Sequence, residues 1–233
     1  YLIGYSYDRK GLLINASKAY QYALNSISQN SDADTDRFWI VNNIGRICKV
    51  YDNYDLSIDY YNTALKFATT DGKIEVLYNL SNTYRKKRDF GSAQETIDQA
   101  LQLAEANNDE ARLVKIHYRI GQIQSDQGQY TQARESYQKV LTLSDSNPKK
   151  HKRYIGKAYH NMGNTYLLEK EYEQASKWFE KALATKTSEK ERYITYMDMG
   201  TCLQSNGKPS LALQYYQQAE VAIALTDPYI EFI

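Results

Sequence analysis

The stretch YHNMGNTYLLEKEYEQASKWFEKAL, residues 159–183, carries the pattern from which the fold is read. An apolar–small pair, Met162-Gly163, is followed twelve residues after the glycine by Ala175, then by Phe179 and Ala182. Small, bulky and small at i, i+4 and i+7 share one face of a helix. The arrangement recurs at Ile3-Gly4, Ile44-Gly45, Leu80-Ser81, Ile120-Gly121 and Met199-Gly200. The six small residues, in chain order, stand 41, 36, 40, 42 and 37 positions apart. Ala16, Ser57, Ala93, Ala133 and Ala212 repeat the first helix-face position. Tyr20, Tyr61, Ile97, Tyr137 and Tyr216 repeat the second, and Ala23, Ala64, Ala100, Val140 and Ala219 the third.

Turn signals fall between the two halves of each unit: Lys10-Gly11, Asp52-Asn53, Lys87-Arg88-Asp89, Gln127-Gly128, Glu169-Lys170-Glu171 and Asn206-Gly207. An aromatic opens several of the second halves, as Tyr54, Phe90, Tyr130 and Tyr172. Polar stretches, Ser31 to Asp36, Asn107 to Glu110 and Ser144 to Lys150, are expected to link one unit to the next. Each unit therefore reads as helix–turn–helix, unable to bury its apolar face alone. Stacking such units gives an all-α superhelical solenoid. The expected repeats are 1–30, 35–70, 71–107, 109–145, 150–187 and 188–225, forming a single domain over 1–233. Asp227-Pro228-Tyr229 reads as the start of a further helix over 228–233. With a first unit that begins partway into its first helix, this marks the chain as a piece of a longer one.

Tyr159-His160-Asn161-Met162-Gly163-Asn164-Thr165-Tyr166, with Ala175, Phe179 and Ala182, resembles the tetratricopeptide repeat. Units longer than its usual length, together with Asn79-Leu80-Ser81-Asn82-Thr83-Tyr84, resemble the extended subclass. That subclass includes kinesin light chains, Pins-type adaptors and bacterial Rap- and PlcR-type peptide sensors. The repeat-ending proline is missing apart from a displaced Pro148, which fits longer second helices. The resemblance implies a right-handed superhelix whose first helices line a concave groove that binds an extended peptide or protein segment.

Bulk composition excludes much else. A net charge of +1 gives no general attraction for nucleic acid or anionic membrane. Charges interrupt every apolar run before it reaches membrane-spanning length. The N-terminus has neither a basic region nor the apolar core of a signal peptide. Two cysteines, Cys48 and Cys202, read as reduced packing residues, in keeping with a cytoplasmic location. No phosphate loop, dinucleotide fingerprint, zinc-protease motif or paired-cysteine motif occurs, so neither catalysis nor a cofactor or metal is expected. Of the histidines, His117 falls at a packed or groove position, and His151 reads as solvated among Lys149, Lys150, Lys152 and Arg153.

Three features mark the first helices as the binding face. Asn42, Asn43, Asn79, Asn82, Asn161 and Asn164 flank the apolar–small pairs. An amide there can hold a peptide backbone, or else brace a neighbouring helix. Arg46, Lys49, Arg85, Lys86, Lys115 and Arg119 fall at groove or edge offsets, favouring an acidic segment unless they form an ordinary solvated face. Family members that bind chaperone tails hold a terminal carboxylate in a clamp of Lys and Asn, then Asn, then Lys and Arg. Asn79, Lys115 and Arg119 match its last three positions, while Asn42 and Arg46 replace the first two. Finally, Tyr5, Tyr78 and Tyr118 take groove offsets, whereas most other tyrosines fill packing slots. The expected function is a protein- or peptide-binding scaffold. A sensor segment of a bacterial signalling protein and an oligomerisation module are the alternatives.

Overall fold

In the computed structural model the described residues are 1–27, 34–185 and 188–225. The further helix expected over 228–233 lies outside them, as do the first three residues of the Ser31 to Asp36 stretch. Among the described residues there are twelve helices: α1 (Leu2–Arg9), α2 (Leu13–Ser26), α3 (Asp34–Val50), α4 (Tyr54–Leu65), α5 (Thr70–Lys86), α6 (Phe90–Ala106), α7 (Glu110–Asp126), α8 (Tyr130–Ser144), α9 (Pro148–Leu168), α10 (Tyr172–Ala184), α11 (Glu189–Ser205) and α12 (Pro209–Ala224). They form six antiparallel pairs in two compact units, α1–α6 within residues 1–109 and α7–α12 within 110–233.

The turn inside every pair is built alike. Seven residues after the small residue the backbone enters the left-handed region, at Gly11, Asp52, Arg88, Gly128, Lys170 and Gly207. The next residue sends its N–H back five positions to the first helix, from Leu12 to Tyr7, Asn53 to Cys48, Asp89 to Tyr84, Gln129 to Gln124, Glu171 to Tyr166 and Lys208 to Leu203. These bonds are 2.9–3.0 Å long. This is a Schellman ending, which satisfies carbonyls that the helix terminus would otherwise leave open. The residue that closes the first helix also caps the second: the side chains of Asn53 and Asp89 accept from Leu56 N and Ser92 N.

Between the paired helices the small residue admits a ring. A Cβ placed on Gly4, Gly121 or Gly163 would lie 2.5–2.6 Å from Tyr20, Tyr137 or Phe179, and one on Gly200 would clash with Tyr216. Gly45 is slightly looser, 3.1 Å from Tyr61. In the third pair Ser81, which has a Cβ, stands where the others have glycine, and the slot opposite holds the smaller Ile97. Both are fully buried.

The core is a run of local clusters within each unit. Val114, Tyr118, Ala133, Tyr137, Val140, Ala158 and Met162 join α7, α8 and α9. Ala175, Phe179, Met199, Cys202, Leu203 and Ala212 join α10, α11 and α12. In the other unit Phe38, Val41, Tyr61, Ala64, Val76 and Leu80 join α3, α4 and α5. Within each unit, α4, α8 and α10 are thus covered by the first helices on both sides, and neighbouring pairs share a core.

Three expectations are corrected. The added length does not lie in second helices: α3, α5, α7 and α11 have 17 residues and α9 has 21, against 12–17 for α4, α6, α8, α10 and α12. Pro148 is no displaced repeat end but the first residue of α9, preceded by the cap Asn147, whose side chain accepts from Lys150 N. Proline suits that position because its missing N–H is not needed there. That start places His151 inside a helix and buries it, at 4% exposure, rather than leaving it solvated.

Gly163→Ala should destabilise the chain by about 1–2 kcal/mol, since overpacking at the Phe179 ring outweighs the gain in helix propensity. In urea titrations Phe179→Leu should recover part of that loss in the double variant. Gly91→Ala, facing open space in α6, should be neutral or stabilising. Additive losses at Gly163 and Phe179 would refute the ring contact. Lys170→Gly, which relieves a non-glycine residue at φ 63°, should raise stability by about 0.5–1 kcal/mol, read as a higher Tm.

Candidate functional site

The expected site residues fall in both units. In the first, Asn42 on α3 is buried, with its Oδ1 lacking a hydrogen-bond partner. Arg46 is ion-paired with Asp8 of α1. Lys49 lies 5.8 Å over the Tyr61 ring. On α5, Tyr78, Asn79, Asn82 and Arg85 are half-buried, and Arg85 donates to Asn82 Oδ1 at 3.3 Å. In the second unit Lys115 is exposed on α7, whereas Arg119 is 7% exposed and donates to Gln122 Oε1 at 2.8 Å. Asn164 lies on α9. Several of the cations counted as a basic surface are thus already engaged by the protein's own side chains.

The second unit assembles the more complete arrangement. Its first helices α7, α9 and α11 touch in succession. Tyr118, 8% exposed, accepts from Asn161 Nδ2 at 3.0 Å and Gln122 Nε2 at 3.1 Å. Its ring meets Tyr154 edge-on at 5.5 Å, and the Lys157 ammonium lies 5.9 Å from its centre. Glu191 of α11 takes Arg153 at 2.9 Å and Lys157 at 3.6 Å. Ser188 holds the same carboxylate in a capping box. A cleft of about 250 Å³ opens here, lined by Tyr118, Lys157, His160, Asn161, Glu191 and Ile194 among others.

His160 forms part of the cleft's floor. Its Nδ1 lies 3.1 Å from Thr195 Oγ1, a hydroxyl that also donates to Glu191 O at 2.9 Å. Its Nε2 lies 3.0 Å from Asn164 Nδ2 and 3.3 Å from Asp198 Oδ2. With Thr195 donating to the carbonyl, the ring proton belongs on Nδ1 and Nε2 accepts from Asn164. Burial holds the imidazole down to about 4, partly opposed by Glu191, and burial pushes the Asp198 carboxyl up, partly opposed by the Asn164 hydrogen bond. His117 on α7 is likewise lowered by burial, and further by Lys139.

Hydroxyl, imidazole and carboxylate in sequence are the parts of a nucleophilic relay. Here Thr195 is 5% exposed and its hydroxyl is engaged with a carbonyl, so it is not held as a nucleophile. The arrangement suits binding and proton holding. Among the described residues no group of His, Cys, Asp and Glu could hold a metal ion, and no helix is long and apolar enough to cross a membrane.

Lys157, His160, Glu191, Thr195 and Asp198 were not among the expected site residues. The repeat register marks three of them. Lys157 lies six residues before Gly163, as Lys115 lies six before Gly121, and His160 holds the place of Tyr118 and Tyr78. Asp198 holds that of Asn161 and Asn79. Glu191 and Thr195 join only through the packing of α11 on α9.

Stacked helix pairs with a polar cleft along their first helices define a helical-repeat binding scaffold. The chain belongs to the tetratricopeptide repeat family, whose model matches residues 73–146, 112–188 and 154–220. Among solved structures, it is similar to BtubC from P. vanneervenii at 15% identity and TM-score 0.77, over 95% of this chain and 94% of that one. It is similar to the apo form of the quorum sensor NprR from B. thuringiensis at 15% identity and TM-score 0.73, covering 95% of this chain and 66% of that one. It also resembles the Rap conjugation gene regulator of plasmid pLS20, solved with a Phr peptide, at 19% identity and TM-score 0.71, covering 87% of this chain and 58% of that one. The chain therefore spans less than two thirds of these two regulators.

The His160 environment predicts a pH dependence of stability. A folded value below the ordinary one means the unfolded chain binds more protons between about pH 6.5 and 4. The contribution is present above that window and lost as pH falls through it. Asp198, shifted the other way, offsets part of the loss. Urea unfolding at pH 5 should give a stability about 1 kcal/mol lower than at pH 7 from this site, and His160→Gln should flatten that slope. Equal slopes in both proteins would remove His160 as the cause.

Proposed function

We propose that this chain is a protein- or peptide-binding scaffold and that the α7–α9–α11 face of its second unit holds an extended acidic segment. The observation that carries the reading is the amide of Asn161. Tyr118 fixes its Nδ2, while the half-buried side chain borders the cleft and can offer its remaining donor and acceptor to a peptide group. Lys115 and Lys157, at equivalent register positions, favour carboxylates along the same face. Catalysis has no part in this reading, and a cytoplasmic setting fits it.

In the first unit Asn42, Arg46, Lys49, Tyr78, Asn79, Asn82 and Arg85 form a corresponding first-helix set. The Asp8 ion pair with Arg46 leaves it less cationic than the composition of α3 implies. A second reading, a sensor segment within a bacterial signalling protein, draws support from the likeness to NprR and the Rap regulator. The gene sequence adjoining residues 1 and 233 decides between a free scaffold and such a segment.

Panning a random seven-residue peptide library on the full chain should enrich Asp- and Glu-rich sequences. Synthetic peptides of the enriched family should lose about tenfold or more in affinity with Asn161→Ala, corresponding to more than about 1.4 kcal/mol. Lys157→Met should weaken binding and reduce its salt dependence. Enrichment that survives both changes places the ligand elsewhere.

A further inference from the structure

Resting on that reading of the groove, we propose that a carboxylate entering the α9–α11 cleft draws a proton onto the His160–Asp198 pair, so that acidic segments bind more tightly as pH falls. The imidazole borders the cleft directly, and the place for a proton is already built. Nε2 faces Asp198 Oδ2 at 3.3 Å, and Nδ1 faces the Thr195 hydroxyl at 3.1 Å. Taking up the proton at Nε2 requires only that the Asn164 amide give up that nitrogen, and it already hydrogen-bonds Asp198 as well.

The groups that face His160 set the sign. From α11 come the Glu191 and Asp198 carboxylates and the neutral Thr195. From α10 comes the Phe179 ring, 5.7 Å away, with Ala182 in the cleft lining. Lys157 and Asn164 share its own helix, and Tyr118 of α7 closes the cleft opposite. Glu191 is engaged by Arg153 and Lys157, so two cations stand against one carboxylate at the rim. With the cleft empty, burial opposes a positive imidazole. An entering carboxylate adds negative charge in a place where water screens it little, which favours the protonated pair.

Linkage makes the effect reciprocal: whatever the carboxylate adds to proton affinity, the proton adds to carboxylate affinity. Raising the pair's proton affinity about a hundredfold would tighten binding about tenfold between pH 7.5 and pH 5. A free peptide carboxylate remains largely ionised at pH 5, so its own protonation does not cancel the gain.

The test uses the full chain and three probes: capped tetraglutamate, capped tetraglutamine, and tetra-alanine with a free C-terminus. NMR titrations at pH 7.5 and pH 5 report affinity at the Lys157, Asn161 and Thr195 amides. Calorimetry at pH 5.5 in two buffers of different ionisation enthalpy counts protons taken up. The expected result is tighter binding at pH 5 for a carboxylate-bearing probe, with net proton uptake. His160→Gln and Asp198→Asn should each abolish the uptake while circular dichroism shows the helices intact. Tetraglutamate and tetra-alanine distinguish a side-chain carboxylate from a chain end. Binding without pH dependence or proton uptake overturns the coupling alone. Amide shifts from none of the probes, or equal shifts from tetraglutamine, overturn the acidic-groove reading together with it.

Discussion

Each helix pair depends on the seating of a ring or aliphatic side chain in a notch left by a small residue. At Gly4, Gly121, Gly163 and Gly200 the aromatic of the second helix occupies the volume a Cβ would need. Close packing makes such a contact intolerant of even one added methyl group. The turn follows from the same spacing. The left-handed residue comes seven positions after the notch in all six pairs, so the second helix returns with its ring facing the notch. Where the notch is Ser81, the opposing slot carries Ile97, and volume is exchanged across the contact.

This constraint explains why the fold was legible in the sequence. Small residues, ring positions and turn residues are local quantities at fixed separations, and helical periodicity converts them directly into faces. Helix ends were less visible because they are decided by single capping residues against the surrounding composition. The Lys-rich run after Ser144 suggests a solvated linker, yet Asn147 and Pro148 start α9 within it and carry His151 into the interior.

The candidate site was legible in its elements more than in its chemistry. The expected site residues lie on first helices, yet Asn42, Tyr118 and Arg119 are buried there, and Tyr118 and Asn164 take part in the polar network around the cleft. Charge proved harder to read. Arg46 meets Asp8 across 38 residues, and Arg153 meets Glu191 across another 38. Such pairs form only when helices from different units of the repeat pack together, and no local pattern announces them. The His160 floor was missed for a related reason. Its three neighbours Asn164, Thr195 and Asp198 lie on two helices, and only their packing shows the imidazole among groups that compete for its proton.

The division between packing and variable columns has a further consequence. The small residue and the positions twelve, sixteen and nineteen beyond it are held by volume. Of the positions six, three and two before it, the middle one meets the ring, Tyr118 against Tyr137 at 6.0 Å and His160 against Phe179 at 5.7 Å, and the other two are not fixed by it. In the second unit they read Lys115, Tyr118 and Arg119, then Lys157, His160 and Asn161, then Ile194, Met197 and Asp198. Charge and hydrogen-bonding capacity can therefore vary at the outer two positions while the notch is kept. The freedom is limited by the neighbours: Tyr118 is shared by Gln122 and Asn161, and Glu191 by Arg153 and Lys157, so changing one member leaves a partner exposed or buried without compensation. The chemistry of this face is consequently a property of adjacent columns together, set by the networks that cross from one first helix to the next.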